Sequence, residues 1–469
     1  MTSGTRALAA PHPDDVVDSL PAFRAWWAGR CAANRIDVAE AALDDLDGWE
    51  FQPDTGNLSH VSGQFFSVAG LEGVRGGQVV TRQPVICQPE IGILGILVAE
   101  HRGVTYCLLQ AKAEPGNCNG VQLSPTVQAT RSNYTRVHGG RRPPYLEHFA
   151  GVATRRVRTD VIQSEQGCWF WHKSNRNMIV RAEEPVAVEP NFAWLPLRLV
   201  WDLLTVPNLV NMDTRTVLSG MPADVPEIRA ETAADPFRAA LLRSWRGTRA
   251  LHPERAVLSW FASAKAECDE QARTIPLNEV DGWLCGRHEI VDRDRSRFRV
   301  VGVRVRAADR EVARWTQPLL EPFGTGVATL FVRVLDGVAH LLFQAKPEFG
   351  LLDRVELAPT VQALATEPIP DAERSWWPGR GTVRFDTVLS EEGGRFRNAL
   401  TRYRIVEVGP EVSLTPSPRH RWLTMHQVSE LIRHGHYFNV EARTLVSCLG
   451  TLLGQGRPVA GGGGGFSRG

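Results

Sequence analysis

The chain repeats itself at a fixed offset, and no other feature constrains its fold so much. LLQAKAEPG starts at Leu108 and LFQAKPEFG at Leu342, LSPTVQA at Leu123 and LAPTVQA at Leu357. Asp47 to Trp49 (DGW) recurs at Asp281 to Trp283, Gln83-Pro84 at Gln317-Pro318, Trp26 at Trp260 and Gly92 at Gly326. All these pairs stand 234 residues apart. Beyond Ala129 the offset drops: DVIQSEQGCWF at Asp160 matches DTVLSEEGGRF at Asp386, 226 residues on, and Trp194 and Asn211 match Trp422 and Asn439 at 228. A period this long is no solenoid and implies a duplicated domain. The first copy spans 20–220 and the second 254–450; 221–253 reads as an exposed linker rich in Pro, Ala and acids. Residues 1–19 and the Gly-rich 451–469 read as flexible tails. Two domains suit 469 residues.

Within each copy, FRAWWAGRCAANRIDVAEAALDDL has helical spacing of apolar positions, and short β-type runs follow. HRGV and LDGV punctuate two of those runs as hairpin turns. WLPLRLVWDLLTVPN and WLTMHQVSELIRHG read as amphipathic helices late in each copy. Helices and mostly antiparallel strands are mixed, so the expected class is α+β.

Charge narrows the function classes. Lys plus Arg is 53 and Asp plus Glu 52, a net charge of +1 that gives no global pull towards nucleic acid or a membrane. No apolar run approaches the ~20 residues that cross a bilayer, and the first residues do not read as a secretory signal. The eight cysteines include no CxxC pair and fit reduced thiols in a cytoplasmic protein. The only lysines are Lys112, Lys173, Lys265 and Lys346. Arg replaces Lys at most solvated sites but not where a compact ammonium is required, so these lysines invite a functional reading.

Three motifs carry candidate chemistry. The QAK-x-E segments hold Lys112 with Glu114 and Lys346 with Glu348. On a strand, period-2 alternation sets Gln110, Lys112 and Glu114 on one face, either lining a pocket or forming a solvated ion pair. The segment from Thr130 to Phe149 occurs only in the first copy. It concentrates Arg131, Ser132, Asn133, Tyr134, Thr135, Arg136 and His138, donors suited to a phosphate. The third motif is the pair of turns SEQGCWF at Ser164 and SEEGGRF, with Ser390, Glu391, Glu392, Gly393, Gly394 and Arg395. Its carboxylates either take part in proton transfer and sugar binding or are the exposed acids of a turn. There is no GxxxxGK[ST], GxGxxG after a strand, HExxH or GxSxG, so neither a nucleotide cofactor nor a metal is expected.

LSPTVQATRSNYTRVHGG with PYLEHF, then DVIQSEQGCWF and KSNRNMIV, and SEEGGRF with TRYRIVEV in the second copy, resemble the NDP-hexose 2,3-dehydratases of deoxysugar biosynthesis, over about residues 20–450. The resemblance implies tandem Nudix-like domains in a homodimer, here lacking a Nudix box. It implies loss of the C2 hydroxyl of dTDP-4-keto-6-deoxyglucose as water, without a cofactor, giving a 3,4-diketo-2,6-dideoxy sugar that a 3-ketoreductase then consumes. In that chemistry Lys112 stabilises the C4 enolate, and Tyr134 and His138 move protons. Arg131 and Arg136 hold the pyrophosphate, and Trp49 or Trp283 stacks on thymine. The first copy is then the working pocket, with the second a scaffold or remnant. The rival readings are an epimerase using the same enolate and a non-catalytic nucleotide-sugar-binding protein.

Overall fold

The structure, a computed structural model, describes residues 10–130, 143–229, 235–247, 249–307, 312–365, 367 and 381–454. Its class is α+β, with strands in mixed sheets and mostly short helices.

Two seven-stranded sheets form the frame. In one, the strands run Val157–Ser164, Ser174–Arg181, Gly92–His101, Val104–Ala113 and Phe192–Pro196, with Val121–Ser124 and Val127–Ala129 paired alongside. In the other, Thr382–Ser390, Leu400–Glu407, Thr325–Leu335, Val338–Pro347 and His420–Leu423 follow the same pattern, with Val355–Pro359 and Val361–Ala363 alongside. One pair in each order is parallel, Ser174–Arg181 with Gly92–His101 and Leu400–Glu407 with Thr325–Leu335. The hairpins at HRGV and LDGV form as the sequence suggests. Arg102 and Gly103 have φ of 51° and 74°, and Asp336 and Gly337 46° and 76°. Positive φ at both central residues marks the turn whose twist matches the flanking strands.

The two halves exchange strands. Ile36–Ala41, from the first half, pairs antiparallel with Phe298–Ala307 of the second. Gln271–Ile275, from the second, pairs antiparallel with Ser67–Arg75 of the first. Here the helical reading of residues 23–46 fails beyond the first turns. The helix is Leu20–Ala33, closed by the Asn34 N–H bonding to the Arg30 carbonyl at 2.9 Å. IDVAEA becomes a strand because Ile36 and Val38 pack on a buried patch of Val301, Val303, Val305 and Leu319, and such packing outweighs local propensity. Likewise Trp194 and Trp422 lie in strands, and the helices begin after them, at Leu197 and Met425.

The main core is continuous across the halves, joining Phe23, Ile96 and Leu109 to Leu330, Phe343 and Leu445. The segment read as an exposed linker buries Val225, Ile228, Phe237, Leu241 and Trp245 in this core, using the helix Pro236–Trp245. Residues 16 and 17, read as part of a tail, pair with Trp194. The Gly-rich segment from 455 lies outside the described residues.

Candidate active site

The strand Val104–Ala113 carries Lys112 near its end, with Glu114 just beyond it. Their side chains are 13% and 5% exposed and form a 3.2 Å ion pair, so they do not lie on a solvated face. Gln128 donates to the same Glu114 Oε1 at 3.0 Å, and Asn211 donates to Gln128 Oε1 at 3.3 Å. Asn211 also caps the helix Met212–Leu218, accepting from the Thr214 N–H at 2.9 Å. The polar row is thus held rigid from behind.

The facing wall comes from the other half of the chain. The turn Ser390 to Arg395 closes on this row, with Gln122 donating to Ser390 Oγ at 2.7 Å. The Gly116 N–H bonds to the Gly393 carbonyl at 2.7 Å, and the Asn398 N–H to the Gly116 carbonyl at 3.0 Å. Gly116 has to be glycine: a Cβ there would lie 1.7 Å from the Phe396 carbonyl oxygen. The buried guanidinium of Arg215, on the helix Met212–Leu218, donates to the Ser390 carbonyl at 2.7 Å and fixes the turn.

A pseudo-equivalent junction lies at the other end of the exchange. Lys346 pairs with Glu348 at 3.0 Å, and Gln362 and Asn439 stand behind them. The turn Ser164 to Cys168 faces this row. Ser164 Oγ donates to Glu356 Oε2 at 2.6 Å, and the Gly350 N–H bonds to the Gly167 carbonyl at 2.9 Å. Arg443 donates to the Ser164 carbonyl. The junctions also touch each other. Glu391 accepts from Gln166 and from the Tyr403 hydroxyl, each at 3.0 Å.

The two junctions differ in the side chains at matched positions. Around the Lys112 row stand Glu392 and Arg395, whose counterparts at the 226 offset are Gln166 and Trp169. Arg395 donates to Gln88 Oε1 at 3.1 Å and lies over the Phe66 ring at 4.4 Å. Nearby, Lys173 Nζ donates to Asn175 Oδ1 at 2.8 Å and to the Ser174 and Glu90 carbonyls, while Asn175 holds Glu165 at 2.6 Å. In the second half, the positions of Gln88, Glu90, Lys173 and Asn175 are Pro322, Gly324, Ala399 and Thr401. A cavity of about 40 Å³ on this side is lined by Trp169, Phe298, Pro322 and Leu400 together with Gln83, Arg297 and Glu367.

Crowded carboxylates perturb the charged pocket. Burial first, then the charge of Glu114, pushes Glu392 up to about 7. Burial, with Glu392, Glu165 and Glu114 nearby, holds Asp213 well above the usual carboxylate range. Burial pulls Lys173 down to about 8, against the opposing pull of Glu165. At the second junction burial and Glu348 raise Glu441 to about 8. Burial opposes the charge on Lys346, but Glu348 and Glu367 outweigh it and hold that ammonium above its ordinary value. Buried groups perturbed by several neighbouring carboxylates are suited to proton transfer near neutral pH.

Comparisons with known proteins show the family. The family model described as NDP-hexose 2,3-dehydratase matches residues 21–221 and again 254–449. The chain belongs to the NDP-hexose 2,3-dehydratase family. Three relatives carry the name dTDP-4-dehydro-6-deoxy-alpha-D-glucopyranose 2,3-dehydratase. The one from Saccharopolyspora spinosa is 45% identical over 93% of this chain and 92% of its own. The one from Amycolatopsis orientalis is 42% identical over 96% and 94%, and that from Streptomyces violaceoruber 43% over 92% and 98%.

In this member of the family, Lys112, Glu114 and Ser390 to Arg395 come together at one junction, and Ser164, Lys346 and Glu348 at the other. Arg131, Ser132, Asn133, Tyr134, Thr135, Arg136 and His138 lie outside the described residues. The strand Val127–Ala129 precedes them, and its Ala129 carbonyl, like Asn175 Oδ1, lies within about 3 Å of a Cβ placed on Gly92. Trp49 and Trp283 are buried in an apolar cluster. Their indole N–H groups bond to the Thr316 and Arg82 carbonyls, each at 3.1 Å. Sequence reasoning missed Gln88, Asn175, Asp213 and Arg215 and gave Lys173 no role. The rarity of lysine was a usable signal for Lys173, and the 228-residue match of Arg215 with Arg443 one for the clamp.

Proposed function

We propose that this enzyme removes the C2 hydroxyl of dTDP-4-keto-6-deoxy-D-glucose as water, in deoxysugar biosynthesis. The observation that carries the reading is the composite junction. A rigid Lys112–Glu114 row from one half faces the Glu391–Arg395 turn from the other, in a chain closely related to enzymes named for this reaction.

The chemistry follows from the substrate class. A C4 ketone acidifies the C3–H because the resulting carbanion is an enolate. The Lys112 ammonium, held against Glu114, serves as a point donor to the developing charge on O4. Expulsion of the C2 hydroxyl leaves an enol at C3, which tautomerises to the 3,4-diketone. In this proposal Arg131 and Arg136 bind the pyrophosphate, Tyr134 or His138 protonates the leaving hydroxyl, and Trp49 or Trp283 stacks on thymine. The proposal also takes the two halves as tandem Nudix-like domains, supported by their matching strand orders, and the protein as a cytoplasmic homodimer. An adjacent diketone is reactive, so a 3-ketoreductase is its expected consumer. Among the described residues no helix is long and apolar enough to cross a membrane.

The test is product analysis. Purified protein incubated with dTDP-4-keto-6-deoxyglucose should yield a nucleotide sugar lighter by one water. An unchanged mass with an altered sugar would mean an epimerase. Binding without turnover would mean a non-catalytic protein.

A further inference from the structure

The roles assigned so far leave open which group takes the C3 proton. We infer that Glu392, contributed by the second half of the chain to the Lys112 pocket, is that proton acceptor. The inference rests on the dehydratase reading and deepens it.

Consider the carboxylates at the junction. Glu114 is occupied by Lys112 and Gln128, Glu165 by Asn175, and Glu391 by Tyr403 and Gln166. Asp213 is 2% exposed. Glu392 differs from all of them. It is partly exposed, and its Oε1 accepts the Gly394 N–H at 2.8 Å, its only hydrogen bond among the described residues. It reaches the Lys112 row: a Cβ placed on Gly394 would lie 2.2 Å from Glu392 Oε1 and 3.7 Å from Glu114 Oε1. Glu392 is therefore the partly exposed acid of this junction without a fixed side-chain partner, and it lies beside Glu114, the partner of the proposed enolate donor Lys112.

The second junction supplies an internal comparison. Its turn carries Gln166 where the first carries Glu392, and Gln166 is buried and committed to Glu391. An amide cannot accept a proton in this range. The asymmetry thus falls on proton transfer and marks the Lys112 pocket as the reacting one. The charged groups facing Glu392 are Glu114, Glu165 and Asp213, which favour its protonated form, and Arg395 and Lys173, which favour the carboxylate.

The step balances. The Glu392 carboxylate takes the proton from C3, and the C–H electron pair becomes the C3–C4 bond of the enolate, with charge on O4. The O4 charge then re-forms the C4 carbonyl, the C3–C4 π pair becomes the C2–C3 double bond, and the C2–O bond breaks with its electron pair leaving on oxygen. A proton from the general acid releases that oxygen as water. Glu392 returns its proton to solvent, and tautomerisation moves one proton from O3 to C2.

The experiment compares wild type with Glu392→Gln, a residue the equivalent turn already accommodates. Calorimetry with dTDP and circular dichroism serve as controls. The variant should bind dTDP within ~3-fold of wild type while kcat falls ~10²–10⁴-fold, the range for loss of a general base. A kcat within tenfold of wild type overturns the assignment. As a second measurement, kcat/KM of the unaltered enzyme should rise with pH through about 7, because the acceptor must be ionised. A flat profile from about pH 5.5 to 8 also overturns it. Failure of wild type to dehydrate the sugar would instead sink the proposed function, so the two failures are distinguishable.

Discussion

Gly116→Ala probes the junction with the smallest possible perturbation. The added Cβ would lie 1.7 Å from the Phe396 carbonyl oxygen and 2.7 Å from that of Gly393. Carbon and oxygen in contact sit ~3.3 Å apart, so the facing turn must retreat by roughly 1.6 Å. That retreat breaks the Gly116–Gly393 and Asn398–Gly116 hydrogen bonds, now 2.7 and 3.0 Å. Each buried group left unsatisfied costs about 1–3 kcal/mol, so the expected destabilisation is about 2–6 kcal/mol. The same retreat draws Glu392 and Arg395 away from Lys112, so kcat should fall even where the variant remains folded. Urea unfolding followed by tryptophan fluorescence measures the first effect, and product formation at low denaturant the second. Gly29, on the helix Leu20–Ala33, is the control, because a Cβ placed there would meet nothing within 4 Å. Gly29→Ala should stabilise by ~0.5–1 kcal/mol. If Gly116→Ala matches wild type in both midpoint and turnover, the halves are not joined as described.

Further outcomes follow from the same arrangement. Gly350→Ala, whose Cβ would lie 1.9 Å from the Phe170 carbonyl oxygen, should destabilise as much as Gly116→Ala but spare kcat by comparison. Glu441 is raised to about 8, so it favours the folded state while protonated, and that stability is fully present below the unfolded value and lost as pH rises through 8. Glu441→Gln should therefore unfold like wild type near pH 5 and be the more stable protein near pH 9, read from urea midpoints at both values. Turnover should survive EDTA, since among the described residues no three His, Cys, Asp or Glu gather as metal ligands and Lys112 supplies an oxyanion donor; loss restored by a divalent ion would contradict this.

The parts of this account legible in the sequence are the ones that repeat. Lys112 and Lys346 stood out because each QAK-x-E copy keeps a lysine in a chain that otherwise uses arginine, and the paired acidic turns stood out for the same reason. Asp336-Gly337 declared its hairpin because few pairs tolerate positive φ twice, and Gly103 between two apolar runs marked the other. What the repeat hid was which copy faces which. The pairing of Ile36–Ala41 with the second half is set by contacts more than 250 residues away, which no local period encodes. Lys173, Gln88 and Asn175 were passed over because their counterparts are Ala399, Pro322 and Thr401, so the repeat fell silent just where the pockets diverge. The supposed linker was misread because its short apolar positions, Val225, Ile228 and Phe237, are scattered among acids and prolines and become a core face only once folded against the sheets.

The central claim is that catalysis resides where the Lys112 row meets the turn from Ser390 to Arg395. Turnover numbers of Lys112→Ala and Lys346→Ala, measured on folded protein at saturating dTDP-4-keto-6-deoxyglucose, test it most directly. Removing a single oxyanion donor should lower kcat of Lys112→Ala by ~10²–10³ while Lys346→Ala stays within about tenfold of wild type. Near-normal turnover in Lys112→Ala, or the larger loss in Lys346→Ala, would contradict the account.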